Sequence, residues 1–167
     1  MLERALVFAL SALLLSSCVT TEIPDDLAAE IPDGATAVEL TSGQPPSDYY
    51  RTLFRELRRK GFTISEDNAE MLSMTTGFRE VGQETTLQVS VFVEEIPSGS
   101  RAVIRGRWGI TTTMAAAASA ATGGSVSGGS AERAEWDGSG RSKAAFGEMA
   151  ELAQDFPHQE LKYQTSK

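Results

Sequence analysis

The chain has 167 residues, with 15 basic against 23 acidic side chains and a formal net charge of −8. This length is typical of a single domain with a substantial core, and the negative charge argues against binding to nucleic acid or to anionic lipid surfaces. The one cysteine, Cys18, excludes a disulfide within the chain and a redox motif.

The amino-terminal segment has the pattern of a secretory signal. Arg4 provides a basic start, an apolar run follows, and two serines come directly before Cys18. The run is shorter than the roughly 20 residues that a membrane-spanning helix needs. The letters LSSC that end at Cys18 resemble the lipobox of bacterial lipoproteins. In that family the residues before the cysteine, here 1–17, are removed and the cysteine receives acyl chains.

This resemblance implies that Cys18 is the lipidation site and that a lipid anchor attaches the chain to the membrane. Val19 follows the cysteine where aspartate would favour the inner membrane, so the resemblance implies the periplasmic face of the outer membrane. The inner membrane and the cell surface stay open as alternatives. The other interpretation is an ordinary signal peptide cut at another bond, with Cys18 as an incidental thiol.

Residues 18–33 are polar and acidic and contain prolines, which predicts a tether ahead of one domain over residues 34–157. A strand is predicted at 35–40. The best-marked helix begins at Ser47, the expected N-cap, and ends at Gly61, with apolar residues every three to four positions. Its last turns are basic, which the helix dipole favours, and an anion-binding patch is the alternative. These basic residues are Arg55, Arg58, Arg59 and Lys60.

The middle of the chain predicts strands. A turn is expected at residues 66–68, followed by a strand with alternate residues from Leu72 to Phe78 on one face. Strict alternation over 85–95 and again over 101–108 predicts an antiparallel hairpin with one buried and one solvated face.

The last third of the chain begins with an insert rich in alanine, glycine and serine. This insert, 111–130, is either a flexible loop or a binding lid. A short strand at 131–137, a helix over 142–156 and a polar tail at 158–167 are predicted after it.

The order of the elements predicts an α+β fold, in which helices cover one face of an antiparallel sheet. The stretches PPSDYYRTLFRELRRKGFTISEDNAEML and QVSVFVEEIPSGSRAVIRGR, together with the final helix, resemble the helix-grip domain of BamC-type lipoproteins. Those proteins are accessory subunits of the β-barrel assembly machinery. The resemblance implies a helix-grip fold and an association with envelope assembly proteins.

Catalytic chemistry has little support in the sequence. His158 is the only histidine and follows a proline in the predicted tail, which argues against a Ser-His-Asp or Cys-His arrangement. A zinc site would lack nearly all its usual ligands, and the sequence contains no GxxxxGK[ST] phosphate loop. Glu94 and Glu95 are adjacent on a strand and therefore point to opposite faces. We expect no enzyme activity, cofactor or metal site.

Candidate contact residues lie on the second strand of the hairpin. Arg101, Arg105 and Arg107 line one side and are candidates for binding an acidic partner or a phosphate, with an ordinary solvent face as the alternative. Trp108 and Trp136 are expected in the core, with a contact patch as the alternative.

Two functional hypotheses follow. The first is a lipid-anchored, non-enzymatic protein that acts through contacts with an envelope protein. The second is a carrier of a small apolar ligand or lipid, bound in a groove between helix and sheet. Tyr49, Tyr50, Phe54 and Trp108 are the candidates to line that groove.

Overall fold

The computed structural model describes residues 23–82, 85–111, 131–137 and 140–165. Cys18, the predicted signal segment and all but the first residue of the predicted insert lie outside the described residues. The elements, in chain order, are α1 (Asp25–Glu30), β1 (Ala35–Ser42), α2 (Pro46–Arg59), β2 (Ile64–Asn68), β3 (Ser73–Thr76), β4 (Arg79–Glu80), β5 (Thr85–Ile96), β6 (Gly99–Ile110), β7 (Glu132–Arg133), α3 (Gly140–Gln154) and β8 (Glu160–Thr165).

The strands form one antiparallel sheet in the order β2-β3-β5-β6-β1-β8, with β4 beside β5 and β7 beside β6. The predicted β5–β6 hairpin is its centre, and it is paired in continuous register up to Ile96 and Gly99 at the turn. Gly99 has φ +136°, and a Cβ there would overlap the carbonyl oxygen of Ser42, so the turn requires glycine. The predicted α+β class is confirmed.

One face of the sheet is buried. The alternate residues of β5 that the sequence placed on one side, from Leu87 to Val93, are at most 2 % exposed. Buried residues of all three helices belong to the same apolar core, so the helices cover this face. We call the opposite side of β5 and β6 the outer face. Its side chains are Gln88, Ser90, Phe92, Glu94, Arg101, Val103, Arg105 and Arg107.

Three local predictions were wrong. Pro45, and not Ser47, is the N-cap of α2, and no side chain caps this end. Pro46 takes the first helical position, where the fixed φ of proline suits a helix. Residues 66–68 belong to β2, and the turn follows them at 69–72. Phe78 lies beyond β3 and is 49 % exposed, so it does not share the buried face.

The predicted tether and tail need a larger correction. Residues 160–165 form β8, which pairs with β1 and places Leu161 and Tyr163 opposite Leu40 and Val38 on the core side. Near the other end, α1 follows Pro24, and Leu27 within it is buried in the core. The tail has only Leu161 and Tyr163 among polar residues, which concealed the strand. In the tether, Ile23, Leu27 and Ile31 recur every four positions, and the prediction missed this helical spacing.

Candidate functional site

The outer face separates the three arginines that the sequence grouped together. Arg101 lies opposite Glu94 in the register, and its Nε donates to the Glu94 carboxylate at 2.6 Å. Its Nη1 also lies 3.7 Å from Glu39 on β1. These two carboxylates raise the pKa of the Arg101 guanidinium, with the Glu94 hydrogen bond as the larger cause. Arg101 therefore has its partners within the sheet.

Arg105 and Arg107 lie further along the same strand and are exposed. A third arginine joins them, because Arg133 on β7 is paired in register with Arg107. Within the residues that the structure describes, Arg107 donates to the carbonyl oxygen of Ala131 at 2.9 Å, and none of the three arginines forms an ion pair. We call Arg105, Arg107 and Arg133 the arginine cluster. Sequence reasoning missed Arg133, because only the β6–β7 pairing brings it to Arg107.

Next to the arginine cluster, the outer face has an apolar centre. Phe92 on β5 and Val103 on β6 are opposite each other in the register. Phe92 is 40 % exposed, whereas Val103 is 9 % exposed. Ser90 and Thr75 beside them are small, and their hydroxyl oxygens lie 3.3 Å apart. The outer face thus combines an exposed aromatic ring with nearby guanidinium groups.

Trp108 does not belong to this surface. It follows the alternation of Ala102, Ile104 and Gly106, so it lies on the core side of β6, opposite to the arginines. Its indole Nε1 is buried and has no hydrogen-bond partner among the described residues. Trp136 is 2 % exposed and packs against Phe146, as expected for a core residue.

The predicted groove residues divide in a similar way. Tyr49 is fully buried between α2 and the sheet, and burial raises the pKa of its hydroxyl. Tyr50 and Phe54 line a groove of about 720 Å³ on the other side of α2, with Leu72 from the turn before β3. This groove is therefore beside the helix and not between the helix and the core face of the sheet.

Tyr50 links the groove to the end of β2. Its hydroxyl donates to the Asp67 carboxylate and also lies 3.2 Å from the carbonyl oxygen of Ser73. Burial raises the pKa of Tyr50, and the hydrogen bond to Asp67 and its negative charge add to this effect. The hydroxyl thus positions the β2–β3 hairpin against α2 and is not prepared for proton transfer at neutral pH.

The basic end of α2 is largely engaged in contacts within the domain. Arg59 makes hydrogen bonds of 2.8 and 2.6 Å to Glu56, and Lys60 pairs with Asp155 just beyond α3. These ion pairs favour the helix-end interpretation for the two residues. Arg58 and Arg55 stay exposed.

The described residues contain no group of three or more His, Cys, Asp or Glu side chains arranged to hold a metal ion. His158 Nδ1 lies 2.7 Å from the carbonyl oxygen of Phe156, so the backbone occupies that ring nitrogen. None of the described helices has the length and apolar character to cross a membrane.

Comparison with models of known protein families finds no match to this chain. A search of curated proteins likewise finds no similar sequence.

Proposed function

We propose that this chain is a lipid-anchored, non-enzymatic protein that acts through contacts with another protein at the periplasmic face of the outer membrane. The observation that carries the proposal is the outer face of the sheet. The apolar core cluster lies on the other side, yet the outer face presents Phe92 and the arginine cluster to solvent. The LSSC segment at Cys18 supports the anchor.

The composition of the outer face suits a protein contact. Aromatic residues and arginine are enriched in protein interfaces and among the residues that dominate their binding energy. Here Phe92 is opposite Val103 on the neighbouring strand, and Arg105 is the next outer-face residue after Val103. Association with envelope assembly proteins is the specific form of the proposal, and the resemblance to BamC-type domains supports it.

Pull-down of the intact lipoprotein from detergent-solubilised membranes tests the proposal. We expect an envelope protein to be enriched over an unrelated lipoprotein used as bait. Val103→Glu would place a charge at the centre of the outer face and should reduce recovery, whereas Glu95→Gln at an exposed position of β5 should not. Recovery of no envelope protein above the control bait would contradict the proposal.

The carrier alternative is supported by the groove beside α2, whose size is within the range of small-molecule sites. Against it, Tyr49, Leu53 and Leu57 are fully buried and fill the contact between α2 and the core. Mass spectrometry of organic extracts of the purified protein separates the two functions. A stoichiometric apolar compound that is lost in Phe54→Arg would favour the carrier.

A further inference from the structure

We propose that the arginine cluster, Arg105, Arg107 and Arg133, binds the carboxylates of an acidic segment of a partner protein. An apolar side chain of the same segment packs on Phe92 and Val103. This inference rests on the proposed function, because it names the chemistry of the partner and the surface that the partner covers.

The first argument is the register of the strands. Arg107 and Arg133 are directly opposite each other on β6 and β7, and Arg105 is the next residue of β6 on the same face. Like charges in directly opposed positions of a sheet are destabilising. Three guanidinium groups at neighbouring positions therefore leave a concentration of positive charge that an anion would relieve.

The second argument is the contrast with Arg101. On the same strand and the same face, Arg101 is neutralised by Glu94 and Glu39. In the described parts of the chain no member of the arginine cluster forms an ion pair, and this holds for the nearby Glu135 as well. The same face of the sheet thus has one ion-paired arginine, Arg101, and three others whose charge is available to a partner.

The third argument is charge complementarity. The chain carries a net charge of −8, so three neighbouring arginines that form no ion pair with any described residue are a local exception to its overall charge. The planar fork of a guanidinium matches a carboxylate in a bidentate pair. Carboxylates on an extended segment are spaced to meet arginines on alternate positions of a strand, because both have a repeat of two residues.

The position of the amino-terminal end favours a protein over the bilayer. The Ile23 side chain lies against Gly147 of α3, on the helix side of the sheet. Ile23 is five residues after Cys18, a length that spans at most about 18 Å. A lipid at Cys18 would therefore hold the helix side near the membrane and direct the outer face away from it, towards soluble segments of other proteins.

The test is photo-crosslinking of the intact lipoprotein in living cells. A photoreactive amino acid replaces Ser90, which lies opposite Arg105 in the register. The same amino acid at Glu151, an exposed position on α3, is the control site on the helix side. The crosslinked segment is then identified by mass spectrometry.

We expect Ser90, and not Glu151, to capture a protein segment rich in aspartate and glutamate. Capture should fall about tenfold in the triple variant R105Q/R107Q/R133Q, since each lost contact is worth a fraction of the 1.4 kcal/mol that changes binding tenfold. The matched control is R51Q/R55Q/R58Q, which removes three exposed arginines from α2 and should leave capture unchanged. The melting temperature of the first triple variant should not fall, since the substitutions remove repulsion.

Several results would overturn the inference. These are capture of phospholipid, capture of a second copy of this chain, capture of a segment without acidic residues, and capture that persists in the first triple variant. If Ser90 captures nothing while the pull-down still recovers an envelope protein, the inference fails and the proposed function stands. If both experiments recover nothing, both fail.

Discussion

At the scale of single residues, Gly106 shows how closely α3 approaches the sheet. A Cβ built on Gly106 would lie 3.0 Å from Ala134 Cβ and 3.1 Å from Met149 Sδ. Gly109, three residues along the same strand, would meet only Thr86 Oγ1, at 3.4 Å. Neither glycine has a positive φ, so the difference between them is one of space and not of backbone strain.

Gly106→Val should therefore destabilise the domain by about 1–3 kcal/mol, because the added methyl groups overpack the contact between β6 and α3. Gly109→Val, on the same strand but on the outer face, should change the free energy of unfolding by no more than about 0.5 kcal/mol. Urea denaturation of both variants measures the difference. If Gly106→Val lost no more free energy of unfolding than Gly109→Val, α3 would be able to move away from β6 at little cost, and the contact between them would be loose.

Glu148 is a second residue whose surroundings predict a measurable effect. Burial raises the pKa of its carboxyl, Glu151 raises it further, and Arg79 lowers it. The folded state thus holds this proton more tightly than the unfolded chain does. Ionisation of Glu148 consequently costs stability as pH rises through the ordinary carboxyl range, and the full cost is present above the raised pKa.

Glu148→Gln should stabilise the domain at about pH 7, by up to about 1 kcal/mol because the side chain is partly exposed. The gain should disappear below about pH 4, where both states are protonated. Thermal melts of Glu148→Gln and of the exposed control Glu95→Gln across this pH range test the direction in which the stabilisation changes with pH. If the stabilisation by Glu148→Gln grew as the pH fell, the predicted pH dependence would be wrong.

At the scale of elements, β8 decides how far the sheet extends. It pairs with β1 over most of its length, and Tyr163 packs against Phe146 of α3. Without β8 the inner strand β1 would become an edge with unpaired backbone groups, which is a site for aggregation. The last strand thus protects the sheet as well as adding to the core.

Tyr163→Ala should destabilise the domain by about 2 kcal/mol, less than a fully buried aromatic would lose, because its side chain is only partly buried. Lys162→Ala, whose side chain points to the outer side and pairs with the exposed Glu160, should have an effect below about 0.5 kcal/mol. Denaturant unfolding compares the two. A neutral Tyr163→Ala would mean that residues 158–167 behave as the tail that the sequence predicted.

The elements also show which parts of the fold the sequence determines. The alternation from Leu87 to Val93 and the apolar positions from Phe146 to Phe156, in α3 and just beyond it, are long and regular, and these residues are buried as expected. β8 has only two core-side residues, Leu161 and Tyr163, among polar neighbours. Two residues are too few for periodicity to distinguish a strand from a polar tail.

The candidate site was predictable only in part, for a different reason. Alternation along β6 correctly separates Arg101, Arg105 and Arg107 from the core face. The sequence does not indicate which strand lies beside each of these arginines. Glu39 neutralises Arg101 and Arg133 joins Arg107 because of long-range pairing, and no local pattern encodes that pairing.

At the scale of the whole molecule, the sheet separates the domain into two unlike sides. The helices, the core and Ile23 lie on one side, and the arginine cluster with Phe92 lies on the other. With the proposed lipid only five residues before Ile23, these two sides would have different roles. In the proposed arrangement one side would face the anchor, and the other would be presented to a partner. Under the proposed function, the position of Cys18 would then matter as much as the composition of the outer face.

Cys18→Ala tests this arrangement, because it removes the only thiol to which a lipid could be attached. We expect the variant to lose incorporation of radiolabelled palmitate and to leave the detergent-rich phase on phase separation. Ser17→Ala keeps a small residue before the cysteine and should retain both properties. Since two or more acyl chains hold a protein stably at a membrane, the difference between the variants should be nearly complete. Unchanged labelling and partitioning of Cys18→Ala would show that the segment is an ordinary signal and would remove the basis for the orientation of the outer face.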